Sequence, residues 1–511
     1  MLLETLGSVS RDVAATHSRL KKRAFLKALF EGADPDDVAL AVSYLTGALP
    51  QGRIGLGPAL VRDAFASLEP VSNAAPSLQD VNRCFDEIAT TSGTGATAKK
   101  RSLFAGLLAK VAEPDRNFLA GLVLGELRQG ALEAVILESI ADTAGVDVRL
   151  VQRAAMLTAN PALVAEVAFD AGEAGLAKFR LELMSPVRPM LAQPAETMQA
   201  AFDAMDEAYV ETKLDGARVQ VHRQGDTVRV FTRQLNDVTA SVPEVVEAAL
   251  ALDATSLIAD GEVIALRDDG RPHPFQVTMR RFGRKSSGDE LRRQLPLSVF
   301  LFDCLLLDGR ELIDEPFEER SRTLRALVGS SALVPQIRTA DVADASAFMR
   351  KALADGHEGV MVKSPDSRYA EGNRGADWLK VKQVHTLDLV VLAAEWGSGR
   401  RKGWLSNLHL GAVGDDGFVM LGKTFKGLTD KTLKWQTDEL LARETHRDEH
   451  VVMVRPELVV EIAVNDIQAS PQYPAGLALR FARVKRYRDD KPASEADTID
   501  TVRALYEQQT A

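Results

Sequence analysis

The hydrophobic period of this chain changes at one place. Before Met184 apolar residues recur at helical spacing, as in Ala24-Phe25-Leu26-Lys27-Ala28-Leu29-Phe30 and Phe118-Leu119-Ala120-Gly121-Leu122-Val123-Leu124-Gly125. After Pro194 short β-branched runs take over. Between them, Met184-Ser185-Pro186-Val187-Arg188-Pro189-Met190-Leu191-Ala192-Gln193-Pro194 holds three prolines in nine residues, which cannot continue a helix and reads as a linker. A chain of 511 residues has room for roughly three domains of ~100–200 residues. The patterning assigns them as an all-α domain over 1–185, an α/β domain over 186–384 and a strand-rich domain over 385–511. The first has Gly-rich breaks at 51–57 and 92–95. The last has strands such as Leu389-Val390-Val391-Leu392, a hairpin turn at Gly414-Asp415-Asp416-Gly417 and one helix near Thr429 to Arg443, which suits a small β-barrel. No internal repeat is visible.

Composition narrows the class. A hydrophobic content of 46% is that of a folded globular protein. Cys84 and Cys304 stand far apart, which excludes a disulfide scaffold and a cysteine-rich zinc site. The start lacks a basic n-region and no uncharged apolar stretch approaches ~18 residues, so neither signal peptide nor membrane span is expected and the cytoplasm is the default compartment. A net charge of −10 argues against bulk attraction to nucleic acid. Any such contact has to come from local runs: Lys99-Lys100-Arg101, Arg400-Arg401-Lys402, and Arg480, Arg483, Lys485, Arg486, Arg488 and Lys491. Each alone also reads as a solvated face. There is no GxxxxGK[ST], and Gly93-Thr94-Gly95 lacks the strand-to-helix setting of a dinucleotide fingerprint.

The chemistry concentrates in Lys213-Leu214-Asp215-Gly216-Ala217-Arg218, a turn between two alternating stretches, Tyr209 to Thr212 and Arg218 to His222. A lysine is inert as a nucleophile until desolvation or neighbouring cations favour its neutral form, so other lysines should converge on Lys213. The bland alternative is an exposed Lys–Asp pair on a turn. Four further segments follow: Asp260-Gly261-Glu262-Val263-Ile264-Ala265; Ser298-Val299-Phe300-Leu301-Phe302-Asp303; Glu358-Gly359-Val360-Met361-Val362-Lys363; and Trp378-Leu379-Lys380-Val381-Lys382, whose lysines share a strand face. Singly they read as strand caps, core aromatics and a charged sheet edge.

In this order the segments resemble motifs I, III, IIIa, IV and V of the covalent nucleotidyltransferases, and Arg488-Asp489-Asp490-Lys491 resembles motif VI. The resemblance is to ATP-dependent DNA ligases. It is strong over the two C-terminal domains and looser in the first, through Tyr44 to Gly47, Gln51 to Gly55 and Leu124 to Gly130, which look like the helical DNA-binding domain of archaeal and actinobacterial ligases. It implies an all-α DNA-binding domain, an ATP-grasp-like adenylyltransferase domain and an OB-fold. It also implies that Lys213 carries AMP, with Lys380 and Lys382 on the α-phosphate and their charge lowering the pKa of Lys213. By the same resemblance Glu262 and Glu358 would hold Mg²⁺, or Mn²⁺ in its place, with Glu262 also near the ribose. Phe302 would stack on adenine, Glu211 would lie near its amino group, and Arg218, Arg233 and Arg374 would contact nucleotide or nick phosphate. Arg488, Asp490 and Lys491 would act on the triphosphate, brought there by a swing of the last domain. Nicked duplex DNA and ATP are the implied partners, with a sliding clamp as a candidate, and the enzyme is expected to be a monomer. A capping guanylyltransferase needs no helical domain of this size. An RNA ligase stays separable by substrate competition, and an NAD-dependent ligase would need zinc-finger cysteines. A nick-binding scaffold without catalysis predicts damaged motifs, and none is damaged.

Overall fold

The computed structural model describes residues 1–68, 75–127, 132–282, 289–329, 332–370 and 377–510. Arg374, and Arg128 to Gly130 of the N-terminal signature, lie outside them.

Up to Leu176 the described chain is helical, with ten α-helices. Local chemistry sets their ends: prolines open Pro35–Leu45, Pro58–Ala66 and Pro161–Leu176, Ser77 and Asp80 form a capping box on Leu78–Thr90, and Gly125 ends Glu113–Leu124 in the left-handed region. The helix Leu78–Thr90 buries Leu78, Val81, Phe85 and Ile88, a stripe at helical spacing. Truncating Phe85 to alanine there would cost about 3–5 kcal/mol.

The Pro-rich segment forms no regular element before Gln193, as its prolines require, yet it is no loose tether. Val187 and Met190 are buried with Tyr209, Ile258 and Leu305, and the Met184 and Val187 amides donate to His222 Nδ1 and Gln220 Oε1. Met156 and Leu157 of the helical domain join that cluster, and Arg153 pairs with Asp314 at 2.7 Å across the same boundary.

The middle region is built on eight main strands: β1 (Ala208–Lys213), β2 (Ala217–Gln224), β3 (Thr227–Thr232), β4 (Ser256–Ala265), β5 (Leu297–Leu307), β6 (Gln336–Thr339), β7 (Gly359–Lys363) and β8 (Trp378–Lys382). They form two sheets. One runs Gln193–Pro194, β8, β7, β1, β6; the other runs β3, β2, β4, β5 and Arg310–Glu311. All ladders are antiparallel except that of the edge pair Gln193–Pro194, where the proline needs no ladder donor. The helices Val342–Ala354 and Phe317–Val328 pack against the first and second sheet respectively. The turn from Lys213 to Arg218 joins strands of different sheets, so it is the seam between them rather than a hairpin.

The C-terminal region turns on one long strand, β9 (His385–Trp396), followed by β10 (Leu405–Gly414), β11 (Gly417–Thr424), β12 (Val451–Val454), β13 (Val459–Val464) and β14 (Arg483–Tyr487). β10 lies on one edge of β9; on the other, residues 385–390 pair with β13 and residues 393–395 with β12. A register shift between Val391 and Ala393 lets β9 bend, and the sheet coils round Leu389, Val391, Leu410, Leu421, Val460 and Ile462. Gly414 pairs with Gly417 across the expected two-residue turn, and the expected helix spans Asp430–Ala442. A second helix, Ile499–Thr510, packs Val502 into the same core.

Candidate active site

Strand alternation puts Tyr209, Glu211 and Lys213 on one face of β1, and the register lines up its neighbours. Lys213 stands opposite Gly359 and then Lys382; Glu211 opposite Met361 and then Lys380; Tyr209 opposite Lys363 and then Trp378. The face is therefore graded, cationic at the seam and aromatic at the far end. At the seam Gly359 has φ +141°, and a Cβ there would lie 2.3 Å from the Val381 carbonyl oxygen, so only glycine fits between the two lysines. Glu358, just before it, places Oε2 2.5 Å from Lys213 Nζ and 2.6 Å from Lys382 Nζ.

Three carboxyls meet these cations. Burial would push Glu358 up, but the charges of Lys213 and Lys382 hold it down to about 2. Asp215 is pushed up to about 6, by burial first and then by the Glu358 charge. Glu262 is pushed up to about 7 by burial, against the charges of Lys213 and Arg218. Gly216 packs directly on this strand, since a Cβ there would stand 2.4 Å from the Val263 carbonyl oxygen and 3.0 Å from Glu262 Cγ. The convergence of cations is felt at Lys380, whose pKa is lowered by burial and then by Lys382, Lys213 and Arg233. Arg233 itself lies exposed after β3.

At the far end Phe302 is half-buried, with the Arg218 guanidinium 5.2 Å and Lys363 Nζ 4.7 Å from its ring centroid. Arg218 is clamped: it donates to Asp260 Oδ2 and to the Met190 carbonyl, each at 2.6 Å, while Tyr369 donates to the same Asp260 oxygen at 2.5 Å. Lys363 pairs with Glu211 at 2.6 Å.

The C-terminal region meets the site through the segment around Arg480, one of the basic residues expected to face nucleic acid. Gln276 donates to Gln468 at 2.9 Å, Arg480 lies 5.5 Å from the Phe275 ring centroid, and its charge is felt by Asp215. Phe481 beside it is exposed and has φ +55°. The motif VI residues are elsewhere. Arg488 and Lys491 each place a nitrogen 2.8 Å from Asp388 Oδ2, and Arg488 also holds Asp490, pulling that carboxyl down to about 2. Other members of the basic runs are paired within the same region, Arg400 with Asp430 and Arg486 with Glu461.

The structure thus brings together Lys213, Glu262, Glu358, Lys380 and Lys382 at the seam and Glu211, Arg218 and Phe302 beyond it. It does not bring Arg488, Asp490 or Lys491 there. Asp215, Asp260, Lys363 and Tyr369 are additions. The first three sit inside the quoted motifs and so had a signal, whereas Tyr369 had none. Among the described residues no three His, Cys, Asp or Glu side chains gather as an all-protein metal cage. The partly buried carboxyls of Glu262 and Glu358 do fit Mg²⁺, which takes one or two carboxylates and completes its shell from substrate phosphates and water.

Comparison with known proteins identifies the family. Residues 189–382 match the family described as "ATP dependent DNA ligase domain", 401–491 the "ATP dependent DNA ligase C terminal region" and 68–141 the "DNA ligase N terminus". A protein of Anaeromyxobacter sp. (strain Fw109-5) named "Probable DNA ligase" is 54% identical over 100% of this chain and 99% of that one. Another of that name, from Mycolicibacterium gilvum (strain PYR-GCK), is 52% identical over 99% of each chain. A solved structure named Pmar-Lig_PreS3 is 18% identical with a TM-score of 0.60 over 94% of this chain and 99% of that one, a likeness of fold. No helix among the described residues is long and apolar enough to cross a membrane.

Proposed function

The chain belongs to the ATP-dependent DNA ligase family, and from that membership we propose that it seals 3′-hydroxyl/5′-phosphate nicks in duplex DNA with Lys213 as the residue that carries AMP. The observation that carries this reading is the set of cations on one sheet face, Lys213, Lys380 and Lys382, gathered with Glu358.

Three displacements follow at one place. Lys213 Nζ, once its ammonium has given one proton to solvent, attacks the α-phosphorus of ATP; a phosphorus–nitrogen bond forms, the bond to pyrophosphate breaks, and the nitrogen gives up a second proton to become the phosphoamide N–H. A 5′-phosphate oxygen of the nick then attacks that phosphorus and releases Lys213, leaving AMP on the DNA. The 3′-hydroxyl oxygen attacks the 5′-phosphorus and expels AMP. Each step gathers negative charge on phosphate oxygens, so positioning and fixed positive charge supply most of the acceleration. Lys380 and Lys382 serve that charge. Glu358 holds the Lys213 ammonium in line until nucleotide enters, and must leave it for attack to occur. Glu262 and Glu358 would hold Mg²⁺, which when bound supplies further positive charge to the phosphates. Phe302 stacks on the base, Glu211 accepts from its amine, and Arg218, Arg233 and Arg374 contact sugar or phosphate.

Arg488, Asp490 and Lys491 belong to the first displacement and are carried to the triphosphate by a swing of the C-terminal region. The nicks are those left by replication, repair and recombination, which puts the work in the cytoplasm at the nucleoid. The test is chemical. Label transferred from α-labelled ATP to the protein should be acid-labile and alkali-stable, as a phosphoamide is, and should map to the peptide holding Lys213. Label on any other residue rejects the assignment.

A further inference from the structure

The far end of the sheet face holds an ion pair of which the three displacements use only Glu211. Glu211 Oε2 and Lys363 Nζ are 2.6 Å apart, and their side chains are 2% and 1% exposed. An ion pair this buried gains little stability over apolar residues of the same shape, so folding alone does not account for it. Lys363 is tightly constrained. Its Nζ lies 4.7, 4.5 and 4.2 Å from the ring centroids of Phe302, Phe317 and Trp378, and it donates to the Phe302 carbonyl oxygen at 3.3 Å. Asp303 and Arg320, a second buried pair at 2.7 Å, complete a neutral set of four charges.

Glu211 commits Oε2 to Lys363, while its Oε1 is buried without a hydrogen-bonding partner among the described residues. A buried acceptor left open costs free energy until a donor arrives. Burial pushes the Glu211 carboxyl toward its neutral form, and Lys363 is the first charge to oppose that. The distinction matters because a carboxylate only accepts, whereas a carboxylic acid also donates.

We propose that Lys363 sets the base specificity of the nucleotide site: by pairing with Oε2 it keeps Glu211 an acceptor-only carboxylate, so Oε1 takes a purine with an amine at position six and rejects one with a carbonyl there. This rests on the reading that nucleotide lies along the sheet face with its base at the Glu211 end. Lys363 does not touch the base. It is a positioning residue that acts through Glu211, and the ring faces that surround it keep its own protons from serving a six-carbonyl.

The experiment follows labelling of Lys213 from α-labelled ATP and, in parallel, α-labelled GTP, for the full-length protein and for Lys363→Met. The ratio of kcat/KM for ATP over GTP should fall about ten-fold or more, mainly through KM for ATP, with kcat for ATP little changed. A ratio within about two-fold of the unaltered protein overturns the proposal. Because Lys363→Met leaves Glu211 without its counter-charge, the neutral pair Glu211→Gln with Lys363→Met is measured beside it. An amide both accepts and donates, so it should lose the preference too; an intact preference in that variant also counts against the proposal. If the unaltered protein takes label from neither nucleotide, the site reading itself fails and the proposal with it, an outcome distinct from a failure of Lys363 alone.

Discussion

Glu358 Oε2 sits 2.5 Å from the Nζ of Lys213, so the proposed nucleophile is half of an ion pair before any nucleotide arrives. Lys382 shares the same oxygen, and the depressed Glu358 carboxyl makes the trio a source of stability as well as chemistry.

The sign of that stability is definite. A carboxyl lowered from its ordinary 4.5 to about 2 contributes stability above pH 4.5 and loses it as pH falls from 4.5 towards 2. At roughly 1.4 kcal/mol per unit the contribution is about 3 kcal/mol, so Glu358→Gln should lower the melting temperature clearly at pH 7 and much less near pH 3. Equal losses at both pH values would contradict the ion-pair account.

Glu262 runs the other way. Its carboxyl is raised to about 7, so its contribution is present below pH 4.5 and is lost as pH rises through 7. Glu262→Gln should therefore stabilise the fold at pH 8, by about 3 kcal/mol on the same conversion, and change little at pH 4.5. Thermal melts at the two pH values would show it. A loss of stability at pH 8 would mean that the ionised carboxylate is well paired after all.

Arg488 and Lys491 rest on Asp388, away from Lys213. If they act on the triphosphate by a swing of the C-terminal region, Lys491→Ala should slow formation of the enzyme–AMP adduct by about 10²-fold and leave closure of pre-adenylylated nicks nearly untouched. The reverse pattern in single-turnover assays would sink the swing.

Much of this was legible in the sequence, for physical reasons. The alternation around Lys213 places Glu211 and Lys213 on one face, and the Lys380–Lys382 spacing does the same on β8, because strand period is local. Helix ends at Pro35, Ser77 and Gly125 are written in single residues. What was not legible is what register and packing decide. Nothing local says that the turn at Gly216 crosses between two sheets, that Lys363 pairs with Glu211, or that Tyr369 completes the clamp on Arg218. The prolines at 186 and 189 announced a break, but the burial of Val187 and Met190 depends on Gln220 and Tyr209, far along the chain. Motif VI was expected at the site on resemblance, and its place beside Asp388 reflects which face the C-terminal region presents here.

The central claim is that Lys213 carries AMP from ATP to a nick. The most direct measurement loads the protein with α-labelled ATP and Mg²⁺, removes free nucleotide, and chases with nicked duplex DNA on a denaturing gel, with Lys213→Ala alongside. The account predicts label on the unaltered protein only, leaving it as the nick closes. Label that forms but never leaves on nicked DNA, or that persists in Lys213→Ala, would contradict it.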